Sequence, residues 1–289
     1  MQVLISAAVL ALAGFLLVMF RRARAKNAKP TMPDPAERRE LIEPVEPPAH
    51  VRKALHDAEM LGQAIWRFDT AAARASDALT ECFPDKRLPD PQMFGWVVTD
   101  DGADSGALHV HFLGAAGADL EVLYRVRIGG GGMPPVVEVM DPPIALAPHV
   151  RGPATALRRA RKAPVPRVNA PYNEVVLPAE LVGQAGWLVY ALAATTNPEE
   201  MLVGGHTRIK VSADGTTVEE IFPFTRTDLR VPAGKEVAMT TLTHIVSATP
   251  LEHHVFLGLL HKQYLRVLTE LGAWDVEHGR IVYCGPFPT

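Results

Sequence analysis

The sequence predicts a membrane-anchored α+β protein: an N-terminal transmembrane helix, then helix-plus-antiparallel-meander layers in one or two soluble domains. Three observations support this fold class. An uncharged apolar run occupies residues 3–20 of the 289. Two later segments carry apolar residues at helical spacing, and short β-prone runs alternate with turn-forming stretches. The composition, 48% hydrophobic and 21% charged, is that of a chain that folds.

The first element is the apolar run, which is predicted to anchor the protein in the lipid bilayer. Spanning a bilayer takes about 17–25 residues, because each helical residue rises about 1.5 Å through about 30 Å of hydrocarbon. A secretory signal peptide would have basic residues before the run, whereas here they follow it. The predicted anchor and its basic flank include Val3, Leu10, Phe15, Phe20, Arg21 and Arg22. Because basic flanks stay in the cytoplasm, we expect a single-pass membrane protein with a cytoplasmic soluble region; a periplasmic one is the alternative.

Residues 21–49 are predicted to be a Pro-rich tether, with six prolines between positions 27 and 49. The first α+β domain is then expected over 50–163. It begins with a helix at about 50–82, whose apolar stripe includes Leu61 and Ile65. A four-strand meander and a second helix at about 149–162 complete it. The four strands are expected at 94–99, 107–113, 120–128 and 136–140.

A proline-rich break at 163–171 separates this region from a second predicted α+β domain at 172–289. We expect a long helix at 250–271 and a C-terminal hairpin that turns at His278-Gly279. The strands before the helix are expected around 173–177, 187–194, 202–211 and 217–224.

The start of the long helix has a recognisable capping pattern. Thr249 precedes Pro250, and Glu252 follows three residues after Thr249, which predicts a capping box. In the predicted helix His253 lies on the apolar stripe, and His254 lies on its flank.

Histidines and one glutamate of this half are the candidate functional residues. The candidate catalytic residues are His206, His244, Glu252 and His254, and the candidate metal ligands are His206, His244 and His254. His253 is the alternative to His254 in such a set, since three neutral imidazoles can hold zinc with a water in the fourth position. The HEXXH pattern is absent, so capping and partly buried histidines are the favoured interpretation. No cofactor is predicted, and zinc is the alternative.

Other signals are weaker. His109 and His111 alternate on one predicted strand and are interpreted as a solvated sheet face. The two cysteines, Cys82 and Cys284, have no metal-site spacing and are interpreted as two buried free thiols, with a single disulfide as the alternative. The net charge of −3, with no nucleic-acid-reading motif, gives no reason to expect a nucleic acid partner.

Several phrases of the chain resemble uncharacterised proteins of proteobacteria. They are AIWRFDTAAARASDAL (64–79), WLVYALAATTNPEEMLVGGHTRIKVSADG (187–215), THIVSATPLEHHVF (243–256) and WDVEHGRIVY (274–283). The resemblance implies no particular activity. If such a family has a site, His206, His244, Glu252 and His254 would be its centre.

From the sequence we therefore expect a membrane-anchored accessory, binding or scaffold component of a bacterial inner-membrane complex, with a protein partner in the membrane and no enzymatic activity. The alternative is a metal-dependent or histidine-assisted hydrolase that uses the C-terminal half.

Overall fold

The computed structural model describes residues 45–83, 93–100, 106–116, 119–130, 132–225, 227–234 and 236–287. The predicted anchor at 3–20 and the predicted tether up to residue 44 lie outside these residues. Among the described residues, no helix is both long and apolar enough to cross a membrane. The fold is mixed α+β with mainly antiparallel sheets, as predicted.

The first half has the predicted order of helix, meander and helix. Helix α1 buries its apolar stripe, which includes Leu61, Ile65 and Leu79, against the first sheet. In that sheet the strands pair with their sequence neighbours, all antiparallel. Helix α2 begins with Pro148 in its first turn, where no backbone N–H is missed. The elements are α1 (Arg52–Glu81), β1 (Met93–Asp100), β2 (Leu108–Ala116), β3 (Asp119–Ile128), β4 (Val136–Ala145) and α2 (Pro148–Arg161).

The second sheet is antiparallel in the order β5-β6-β8-β9. The predicted strand at 202–211 is interrupted, because Gly204 and Gly205 turn the chain and Gly205 adopts a φ of +86°. The piece before the turn, β7, pairs with β10 instead. The strands are β5 (Tyr172–Pro178), β6 (Trp187–Ala193), β7 (Glu200–Leu202), β8 (Thr207–Val211), β9 (Val218–Pro223) and β10 (Arg230–Pro232).

The predicted long helix at 250–271 is wrong in its second half. Helix α3 covers only Glu252–His261, and Lys262 ends it in the left-handed conformation, with a φ of 52°. Residues 265–269 then alternate buried and half-buried side chains as strand β12. The apolar residues in this short segment fit both a helical and a strand period. The segment forms a strand because it pairs with two neighbouring strands.

The third sheet has the order β11-β12-β13-β14, with β11 parallel to β12 and the other pairs antiparallel. The predicted C-terminal hairpin is present. His278 and Gly279 have positive φ angles of 48° and 81°, as a tight two-residue hairpin turn requires. The strands are β11 (Thr240–Thr243), β12 (Leu265–Thr269), β13 (Gly272–Glu277) and β14 (Arg280–Gly285).

One hydrophobic core crosses the predicted boundary at 163–171. It joins Ile65 and Phe112 of the first half to Leu177 and Val267 of the second. Helix α1 also packs closely on α3, where a Cβ added to Gly62 would lie 2.5 Å from Cβ of Val255. The two halves therefore pack as one body, and α1 fixes the position of the α3 N-terminus.

Candidate metal centre

The first turn of α3 is capped differently from the prediction. Leu251, in an extended conformation, is the N-cap residue, and its backbone N–H donates to Nδ1 of His254 over 3.1 Å. His254, three residues after the cap, therefore takes the place that the capping box assigned to Glu252. Thr249 is buried before the helix, where its carbonyl oxygen accepts a hydrogen bond from the Ser247 hydroxyl.

Glu252 forms a buried ion pair. Its side chain is 2% exposed, and Oε1 accepts from Nη1 of Arg208 at 2.6 Å and from the hydroxyl of Tyr190 at 3.2 Å. The Arg208 guanidinium also lies 5.0 Å from the ring centre of Phe222. Burial and the adjacent Glu252 carboxylate raise the pKa of Tyr190 well above its usual value. Glu252 thus ties α3 to the second sheet through β8 and β6.

His206 uses both of its ring nitrogens in the turn that interrupts the predicted strand. Nδ1 accepts from the backbone N–H of Ala193 at 3.1 Å, so Nε2 carries the proton and donates to the carbonyl of Leu202 at 2.8 Å. Complete burial lowers the pKa of His206 to about 4. With both nitrogens engaged, His206 is not free to bind a metal.

His244 follows β11 and has one free nitrogen lone pair. Its Nε2 lies 2.9 Å from Oγ of Ser247, whose own proton goes to the Thr249 carbonyl. Nε2 must therefore donate, and the lone pair of Nδ1 is left for another partner. Burial lowers the pKa of His244 to about 4, so the ring is neutral at pH 7.

Three histidines come together here: His244, His253 and His254 each offer a nitrogen within 4.8 Å of the others. The ring centres of His253 and His254 are 3.8 Å apart, and those of His244 and His254 are 4.7 Å apart. Phe224 stacks on His253, with 4.4 Å between the ring centres. This set of three is the candidate metal centre.

His253 is the unusual member of the set. It is fully buried, and neither Nδ1 nor Nε2 has a hydrogen-bond partner among the described residues. An unpaired buried polar group costs about 1–3 kcal/mol, and most such groups in proteins are paired. Burial, and then the neighbouring His254, His206, His244 and Arg208, lower the pKa of His253 well below its usual value. A neutral, unpaired imidazole is therefore available as a ligand.

The set suits a transition metal that prefers nitrogen ligands. Nitrogens bound to tetrahedral zinc at about 2.1 Å are about 3.4 Å apart, so the rings have to rotate slightly inward. If His254 binds through Nε2, its proton moves to Nδ1 and the bond from Leu251 N–H is lost. That loss costs about 1 kcal/mol, against about 10–16 kcal/mol for structural zinc binding in peptides.

A pocket of about 570 Å³ lies beside this centre. His244 is on its wall, whereas His253 and His254 are not among the residues that line it. The other lining residues are Thr243, Ile245, Val246, Ser247, Ala248, Leu268, Thr269, Glu270 and Phe287.

The structure thus brings together two of the predicted ligands, His244 and His254, and engages His206 and Glu252 elsewhere. The sequence interpretation offered His253 only as an alternative to His254, because its place on the apolar stripe was sufficient reason for burial. The signal that could have found it is chemical: an apolar helix face offers a buried histidine no hydrogen-bond partner.

The histidines of the first sheet differ from their predicted role as a solvated face. His111 is buried, and its Nε2 lies 3.0 Å from Oγ1 of Thr99. Burial, followed by His109, His149 and Arg125, lowers its pKa to about 4. The rings of His109 and His149 lie 6.3 Å and 6.0 Å from that of His111.

Comparisons of the chain with protein-family models, curated proteins and solved structures found no match. Function is therefore inferred from the side chains of this chain itself.

Proposed function

We propose that the protein is a membrane-anchored binding or accessory component of a bacterial inner-membrane complex, and that its folded region binds a divalent transition metal, zinc foremost. The ligands are His244, His253 and His254. The observation that carries the metal proposal is His253: its two buried nitrogens have no hydrogen-bond partner in the described part of the chain, and it lies in a group of three histidines.

The chemistry of the donors supports zinc over the hard cations. Magnesium and calcium take oxygen ligands, whereas imidazole suits zinc, copper and nickel. The three rings are neutral at pH 7, because burial lowers their pKa values, so binding displaces few protons. The nearest guanidinium, Arg208, is already paired with Glu252, which limits its repulsion of a bound cation.

The position of the centre favours a structural metal site over a catalytic one. A catalytic zinc keeps one coordination position open to water and substrate, but His253 and His254 do not line the pocket. The hydrolase alternative is supported by the contact of the pocket with His244, and it requires a metal-bound water to reach the pocket past that ring.

The metal proposal is tested on the full-length protein in detergent, by elemental analysis and by calorimetric titration of the metal-free form with zinc. We expect one zinc per chain in the wild type, and no zinc in His253→Phe or His244→Gln. His109→Ala is the matched control and keeps the metal. A wild-type protein that binds no zinc, or a His253→Phe variant that binds it normally, contradicts the proposal.

The anchor and its orientation are tested separately, with a periplasm-active reporter at the C-terminus. We expect membrane-bound protein without reporter activity; strong activity assigns the folded region to the periplasm. Purification from solubilised membranes tests the partner, since an accessory component is expected to co-purify with another membrane protein.

A further inference from the structure

Four exposed apolar side chains lie at one end of the third sheet. Strands β11, β12 and β14 run in the same direction, because β11 is parallel to β12 and two antiparallel pairings relate β12 to β14. Their C-terminal ends therefore lie at the same end of the sheet. We name the side chains there the apolar end: Val45, Ile245, Val246 and Phe287.

The exposure of this set is high for apolar residues. Ile245 is 89% exposed, Phe287 is 47% exposed and Val246 is 38% exposed. These three residues line one pocket, so they form a continuous surface and are not scattered single residues. Clustered apolar exposure of this kind marks an interaction site.

The chain joins the described fold at the same end. The backbone N–H of Val45 donates to the carbonyl of Tyr283 on β14 at 2.9 Å, and a Cβ at Gly285 would lie 3.8 Å from a methyl group of Val45. The residues before Val45 include the predicted membrane anchor at 3–20. The part of the fold nearest to the tether is thus the part that exposes Ile245 and Phe287.

We infer that the apolar end docks on the lipid interface of the membrane that holds the anchor, with Ile245 and Phe287 inserted among the acyl chains just below the headgroups. This inference rests on the proposed membrane anchoring and is independent of the metal proposal. Interfacial elements insert apolar side chains to a depth of about 5–10 Å. A tether to the anchor raises the effective concentration of the bilayer surface around the folded region.

The charges nearby indicate hydrophobic attachment. Glu270 lies on the pocket wall, and the residues that line the pocket include no lysine or arginine. Arg52, near Val45 in the sequence, is bound to Glu46. Anionic headgroups are therefore not required, and docking is expected on zwitterionic phosphatidylcholine and at high salt.

The test uses the full chain reconstituted into phosphatidylcholine vesicles, with a single environment-sensitive fluorophore. Both native cysteines, Cys82 and Cys284, are replaced by serine, and the label is placed at Ile245→Cys. Leu181→Cys is the matched control, because Leu181 is also an exposed apolar residue, at 39%, and lies on a different part of the fold. We expect a blue-shifted emission at 245 that lipids brominated near the headgroup quench, with neither effect at 181.

Flotation of the vesicles separates the two levels of the inference. Protein that does not float overturns the anchor and the docking together. Protein that floats but shows no lipid quenching at 245 overturns the docking alone, and a blue shift without quenching assigns the apolar end to contact with a second copy of this chain instead. Equal quenching at 181 and 245 also overturns docking through this end.

Discussion

The two histidine clusters of the molecule use the same residue type in different ways. In the first sheet one buried ring, His111, has a hydroxyl partner and two more distant histidine neighbours. The α3 cluster consists of His244, His253 and His254. Its rings lie closer together, and His253 has no hydrogen-bond partner among the described residues. A satisfied buried histidine is a structural element, whereas an unsatisfied one beside two other imidazoles is a candidate ligand.

The largest expected effect is acid destabilisation that comes mainly from the α3 cluster and the neighbouring His206, whose ring centre lies 6.3 Å from that of His253. Unfolded histidine has a pKa of about 6.5, and the folded values of His206 and His244 are about 4. Between these pH values the unfolded state binds more protons than the folded state. The free energy of unfolding is therefore highest above pH 6.5 and falls as the pH drops towards 4. Between pH 6.5 and 5 each of these two residues contributes a loss of about 2 kcal/mol.

Urea unfolding at several pH values measures this loss. His111→Gln removes the one buried histidine of the first-sheet cluster and is expected to retain most of the acid slope. A slope that disappears in this variant would reverse the comparison between the clusters.

The next expected effect is a difference in stability loss between two ion pairs, the buried pair at the start of α3 and the exposed pair of the first sheet. Glu252→Gln removes a carboxylate that is 2% exposed and leaves Arg208 without its charge partner, so we expect a loss of about 3 kcal/mol. Glu138→Gln breaks the pair with Arg125, in which both side chains are about two-fifths exposed, and should cost less than about 1 kcal/mol. Chemical denaturation compares the two, and equal losses would contradict the anchoring role of Glu252.

Zinc is expected to stabilise the folded state through the α3 cluster alone. A ligand at 100 times its Kd adds about 2.7 kcal/mol to the free energy of unfolding. The shift of the urea midpoint should persist in His109→Ala and disappear in His244→Gln. If removal of His109 abolishes the shift, the metal binds at the first sheet.

The smallest expected effect is the change in the free energy of unfolding of His253→Phe, and its sign depends on whether zinc is present. His253→Phe removes two unpaired buried nitrogens and keeps a ring against Phe224. Without metal we therefore expect the free energy of unfolding to rise by about 1–2 kcal/mol. With zinc the order reverses, because only the wild type gains the binding energy. His253→Leu repeats the measurement with a smaller side chain, and destabilisation of both variants without metal would show that His253 has a partner after all.

Much of the architecture was predictable because its signals are local. The stripe of α1, the β-prone runs of β1–β4 with the turn-forming stretches between them, and the His278-Gly279 turn are each formed by residues close together in the sequence. The predicted helix at 250–271 failed where local signals conflict: the alternation of Leu265, Val267 and Thr269 fits a strand, but only pairing with β11 and β13 selects it.

The sequence predicted the residue type of the candidate site but not which histidines belong to it. The sequence by itself determined that histidines gather around the start of α3 and that the main elements alternate in an α+β order. Tertiary structure decided which candidate residues are engaged, because hydrogen-bond partners come from other strands: Ala193 on β6 engages His206, and Arg208 on β8 engages Glu252. Periodicity places a side chain on a face, whereas the availability of a nitrogen lone pair depends on every group that the fold brings within about 3 Å of it.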